Sequence, residues 1–187
     1  MNLYTEEFDI KNHKHKFAVW AAGRAASVKD QRFSVESAKK LIDHINLQEY
    51  IDKPDGLPDN FDTIHDAWCK SLIEKSMEIF DKTNSPEKIN YGVAAKLINV
   101  YLKTILVCGG YHEHEKVKKI HPPIDRLLLT ELAKKDDSYL KKIWKKYAEK
   151  GWSNFDSADY QAVIRSVKDF VQLEALYTIE SFWTGHQ

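Results

Sequence analysis

Apolar residues recur three and four positions apart along most of this chain, and nowhere do they alternate over a strand's length. Only packed helices bury such a pattern. From Val93 to Val107 the spine is Ala94, Leu97, Ile98, Tyr101 and Ile105, closed by Gly109-Gly110. Phe17 to Val28 is apolar nearly all round, which predicts a central, buried helix with Arg24 as its one charge. Ser34 reads as the N-cap of an amphipathic helix over 35–45. The turn-rich stretch 52–60 is a surface loop, and Phe61 to Lys82 returns to helical spacing. Ser85-Pro86-Glu87 is a helix start, and the charged stretch 111–121 is a connection. Pro122-Pro123 opens a helix with Asp125 in its first turn, and residues 140–150 form another that stops at Gly151. A last helix runs from about Ser157 to Trp183. The expectation is an all-α fold, a compact single-domain bundle of roughly eight helices spanning 1–187, with 1–12 as a flexible lead-in.

Composition narrows the function classes. The chain has 28 basic and 28 acidic side chains, so a wholly cationic coat protein is excluded while a local basic patch is not. Two cysteines, Cys69 and Cys108, supply neither a disulfide framework nor the four thiolates of an iron–sulfur cluster, and fit a reduced, cytoplasmic setting with no cofactor. The apolar runs break before a membrane span's length, and the acidic start, Met1 to Lys11, lacks the apolar core of a signal peptide. Cys108, His112, Glu113, His114 and His121 are metal-ligand types at close spacing, but they lack the paired cysteines of a standard zinc site, so no metal is expected. No phosphate-binding loop, dinucleotide fingerprint or nucleophile elbow is present.

The most chemically suggestive stretch is Tyr91-Gly92-Val93-Ala94-Ala95-Lys96-Leu97-Ile98-Asn99-Val100, followed by His121-Pro122-Pro123-Ile124-Asp125. A glycine turn enters a helix carrying Lys96 in its first turns, and a second helix begins beside an acid. Helix starts offer free N–H groups that attract anions and favour a carboxylate. The stretch resembles the helix-hairpin-helix DNA glycosylases. Gly92-Val93 matches the hairpin's first Gly and Val, with Ala94 in place of its second Gly. Lys96 matches the nucleophilic lysine and Ile124-Asp125 the segment holding the catalytic aspartate, with 111–121 as an insertion. The match covers the two motifs; the rest fits as helical context.

The resemblance implies an N-glycosylase that excises a damaged or modified base from duplex DNA. Asp125 would stabilise an oxocarbenium-like sugar, and Lys96 could attack C1′ and give abasic-site lyase activity. Gly92, Val93 and Ala94 would approach the DNA backbone. The base, flipped from its stack, would enter a pocket with aromatic walls drawn from Trp20, Trp68, Tyr91, Trp144 and Trp183, with Arg24 at its floor. Such an enzyme, working as a monomer, would serve repair or defence against foreign (phage) DNA carrying unusual bases. Independently, Lys141, Lys142, Lys145 and Lys146 present two lysine pairs one turn apart, with Lys118 and Lys119 nearby in sequence and His13 to Lys16 as an addition to the patch. That charge asymmetry suits a phosphate backbone. Two other readings stay open: a non-catalytic helical nucleic-acid-binding module, and a helical interaction or regulatory protein.

Overall fold

The computed structural model describes residues 8–29, 32–80 and 89–185. They form an all-helical fold without a β-strand. The helices are α1 (Ile10–Ala26), α2 (Val35–His44), α3 (Phe61–Ile79), α4 (Tyr91–Leu102), α5 (Arg126–Lys135), α6 (Lys141–Lys150) and α7 (Ser157–Val171). The coil of α4 widens into a π-helical continuation, Lys103–Tyr111, and the chain closes with a 3-10 segment, Leu176–Phe182.

Helix α4 is the axis. Its residues 91–99 are all buried, as are Tyr101 and Leu102, and α1, α3 and α7 pack around it. Helix α5 pairs with α6, which leans on α7. With its continuation, Tyr91–Tyr111 is long and apolar enough to cross a membrane by length and composition, contrary to the expectation that every apolar run breaks short of that. Most of it is enclosed by protein, as in the core helix of a globular fold.

Many boundaries follow local chemistry. Ser34 caps α2 by accepting from the Ser37 amide at 3.0 Å. Gly110, at φ 96°, ends the long helix, and Gly151, at φ 79°, ends α6, conformations that suit a residue without Cβ. The Ser85 start lies outside the described residues.

Four expectations are corrected. Helix α1 begins at Ile10 with Asp9 as its cap, so residues 10–12 are not a loose lead-in. It is also not buried all round. One face packs through Ala18, Val19, Ala22 and Ala26, while Phe17 and Trp20 are about half exposed and Arg24 faces solvent. Within its basic start, Lys14 pairs with Asp52 at 2.6 Å and His15 is buried against Tyr101, so these two do not extend a basic patch. Finally, the last helix is not continuous. Gln172, at φ 54°, breaks it, and the chain turns back as 176–182.

Candidate functional site

Lys96, Val100, Lys103 and Thr104 lie on one face of α4 and its continuation, at the spacing that aligns side chains along a helix. This face borders a cavity of about 350 Å³, a size that suits a small-molecule moiety. Across it stands Asp125, the N-cap of α5. One carboxylate oxygen accepts from the Leu128 amide at 2.9 Å. The other accepts from Lys96 Nζ at 3.2 Å and from the Trp183 indole N–H at 2.9 Å. Lys96 Nζ also donates to the Ile124 carbonyl at 3.2 Å and sits 5.5 Å from the Trp152 ring centroid. Lys103 and Glu180 form a second ion pair in the same cavity, with Lys103 5.9 Å from the Trp183 ring.

The lysine is only 6 % exposed. Burial pushes its pKa below the ordinary lysine range, and the nearby Asp125 charge and hydrogen bond oppose that shift. Burial likewise pushes Glu180 up, with Lys103 acting against it. A chamber with a desolvated amine, a helix-cap carboxylate and two indoles can hold a flat group and perform amine or carboxylate chemistry on it.

The segment carrying Asp125 is held from below. Asn99, three residues beyond Lys96, donates to the Pro122 carbonyl at 3.0 Å and to the Tyr160 hydroxyl at 2.8 Å. The Tyr160 O–H is therefore directed to His121 Nδ1 at 3.1 Å, and His121 donates from Nε2 to Asp62 at 2.8 Å. His65 donates from Nε2 to Asn99 Oδ1 at 2.8 Å, and the Cys69 thiol faces its Nδ1 at 3.7 Å. Burial lowers the pKa of both histidines and so favours their neutral forms, and the acceptors Asn99 Oδ1 and Asp62 Oδ1 select the Nε2–H tautomers. Hydrogen bonding by His121 holds Asp62 well below the usual carboxylate range.

The structure thus brings Lys96 and Asp125 together and sends other expected residues elsewhere. Gly92, Val93 and Ala94 are buried in the first turn of α4 and form no surface a phosphate could reach. The Gly92 amide donates to the Phe155 carbonyl at 3.2 Å, and a Cβ there would meet the Trp152 carbonyl oxygen at 1.8 Å. The glycine is needed for a close approach within the protein. Trp144 is fully buried with its N–H on Asp136, and the buried Tyr91 donates to Asp66. Trp20, Arg24 and Trp68 also lie outside the cavity lining, and the described residues give Arg24 no buried carboxylate partner.

Of the aromatic candidates Trp183 lines the cavity, joined by Trp152, Lys103 and Glu180, which the sequence did not single out. The signals available for these were the Gly151 stop placing Trp152 beside α4, and the spacing of Lys96 and Lys103. Lys141, Lys142, Lys145 and Lys146 are exposed as expected. Lys118 pairs with Glu115, and it borders a different hollow with Lys119 and Asp62. His112 and His114 pair with Glu113 and Asp55, and no metal-binding group occurs among the described residues. No family model, curated protein or solved structure matches this chain.

Proposed function

We propose that the chain is a DNA glycosylase that releases a damaged or modified base, in repair or in defence against foreign DNA. The observation that carries this reading is the pair formed by Lys96 Nζ and Asp125 Oδ2, 3.2 Å apart in a chamber with two indoles. As the base–sugar bond lengthens, positive charge builds on C1′, and a fixed carboxylate beside that carbon lowers its energy. Asp125 is also within reach of the ammonium proton. Asp125 relays that proton to the base as it departs with the bonding electrons, which leaves Asp125 a carboxylate again while the neutral amine attacks C1′. Ring opening leaves an imine between Lys96 and the sugar. The incoming sugar displaces the Trp183 N–H from Asp125, and the indole faces receive the flipped base. The lysine face of α6 supports a DNA partner, and by itself also favours the second reading, a non-catalytic nucleic-acid binder.

The test is direct. Duplexes carrying oxidised, alkylated, deaminated or hypermodified bases are incubated with the protein and then heated in alkali. Strand breaks at the modified position support base release. Retention of every base alongside salt-sensitive binding leaves only the binding module.

A further inference from the structure

Beside the Lys96 chamber lies a second hollow, of about 400 Å³, lined among the described residues by Arg24, Ser27, Val28, Lys29, Arg32 and Phe33. Ala25 borders the chamber and Arg24 borders this hollow, so the two openings meet at adjacent residues on the last turn of α1. Three of the six lining residues are cations and none is acidic. The chain is neutral as a whole, and many of its lysines sit against acids, including Lys40 on Glu36, Lys70 on Asp66 and Lys134 on Glu131. No ion pair joins Arg24, Lys29 or Arg32 to an acid among the described residues, and two of the four arginines in the sequence are spent here.

The convergence is built. The Ser27 hydroxyl donates to the Gly23 carbonyl at 2.8 Å and accepts from the Phe33 amide at 3.0 Å, which draws the chain beyond α1 back onto the helix end. Ser27 also caps Gly23 through its backbone N–H, so Arg24 is not required as the helix's C-terminal cap. Phe33 packs edge-on to Phe80, which anchors the far wall. One turn before Arg24, Trp20 is 49 % exposed with Phe17 beside it at 5.7 Å. Arginine forks match phosphate oxygens, and an exposed ring beside a cluster of cations is a combination that holds a nucleic-acid strand.

We propose that Arg24, Lys29 and Arg32 grip the phosphates of the DNA strand whose nucleotide enters the Lys96 chamber, with Trp20 against an adjoining sugar or base. This rests on the reading of the chain as acting on DNA and extends it to a site that the lysines of α6 do not supply. A strand held here presents its neighbouring nucleotide at the chamber mouth, whereas the four exposed lysines of α6 line neither opening.

The experiment is fluorescence anisotropy with a labelled duplex containing one tetrahydrofuran abasic analogue, at about 50 and about 200 mM salt. The Arg24→Gln/Lys29→Gln/Arg32→Gln variant is expected to bind at least about tenfold more weakly, with the slope of log K against log salt reduced by about 2 to 3. Arg24→Lys/Arg32→Lys keeps the slope. Lys40→Gln/Lys70→Gln/Lys134→Gln, which removes equal charge elsewhere, stays within about twofold. All substituted side chains are exposed, so unchanged circular dichroism is expected and checks the fold. Affinity and slope unchanged in the first variant, no binding by the unaltered protein, or tighter binding to phosphatidylglycerol vesicles than to DNA would each overturn the grip. Base release is read separately. Binding through these residues without base release overturns the glycosylase and keeps the grip; base release with unaffected binding does the reverse.

Discussion

The Asn99 side-chain amide holds the Pro122 carbonyl at 3.0 Å, three residues before the carboxylate that Lys96 meets. The same helix therefore fixes both partners of the pair, Lys96 directly and Asp125 through the segment leading to it. Asn99→Leu would leave Pro122 O, His65 Nε2–H and the Tyr160 hydroxyl short of a buried partner. Each such loss costs about 1–3 kcal/mol, so urea unfolding should show a total of at least about 3 kcal/mol. Tyr160→Phe should cost about 1–3 kcal/mol by the same measurement.

Gly92 carries a steric demand. A Cβ at this position would fall 1.8 Å from the Trp152 carbonyl oxygen and 3.2 Å from Phe155 Cβ. Gly92→Ala should destabilise by at least about 2 kcal/mol and displace Trp152 from above Lys96. Thermal melting measures the first effect. A shifted Trp152 indole N–H resonance, with Trp152→Phe as the assignment, reports the second; identical melting and spectra would exclude the close approach.

The buried histidines predict acid sensitivity. His65 and His121 have folded pKa values below the ordinary 6.5, so below that pH the unfolded chain binds more protons than the folded one. Their neutral folded forms give stability above pH 6.5, and it falls as pH drops from 6.5 towards their folded values. Each residue contributes a slope of up to about 1.4 kcal/mol per pH unit. Urea midpoints measured across this range should decline, and less steeply in His121→Gln. A flat profile would show that neither histidine is kept neutral.

Lys96 should separate stability from chemistry. Lys96→Met removes a buried charge from a site of similar volume, and Asp125 keeps the Leu128 and Trp183 donors with a side chain 21 % exposed. Stability is expected to hold or to rise by up to about 2 kcal/mol. Borohydride trapping on DNA with an abasic site should vanish in this variant. A trapped adduct at full yield would transfer the amine's role elsewhere.

Asp125→Asn keeps an N-cap side chain while removing the negative charge. Base release should fall at least about 100-fold, with DNA affinity within about threefold. Single-turnover rates alongside anisotropy test both parts.

Much of this was legible in the sequence because it is local. The Ser34 cap, the Gly110 and Gly151 stops and the buried face of α6 follow from neighbours within a few positions. The meeting of Lys96 with Asp125 came from a motif pattern, since periodicity alone does not join two helices. Less legible was whatever depends on distant packing. Phe17, Trp20 and Arg24 read as buried because Ala-rich surroundings look apolar on every face, yet one face of α1 has no covering helix among the described residues. Gly92 read as a surface turn because a glycine's neighbour, here the Trp152 carbonyl, is invisible along the chain. The break at Gln172 interrupts an apparently continuous helical pattern, and the positions of Glu180 and Trp183 at the chamber depend on it.

That break makes the amine's temperament a product of closure. Two of the walls that keep water from Lys96, Glu180 and Trp183, arrive on the strand of chain folded back after Gln172. Without Glu180 and Trp183 the chamber would open on that side, admit more water to Lys96 and move its basicity back towards the ordinary lysine range. The lowered basicity of Lys96 therefore depends on walls contributed from elsewhere in the chain, and a change in those walls alters it without touching the lysine itself.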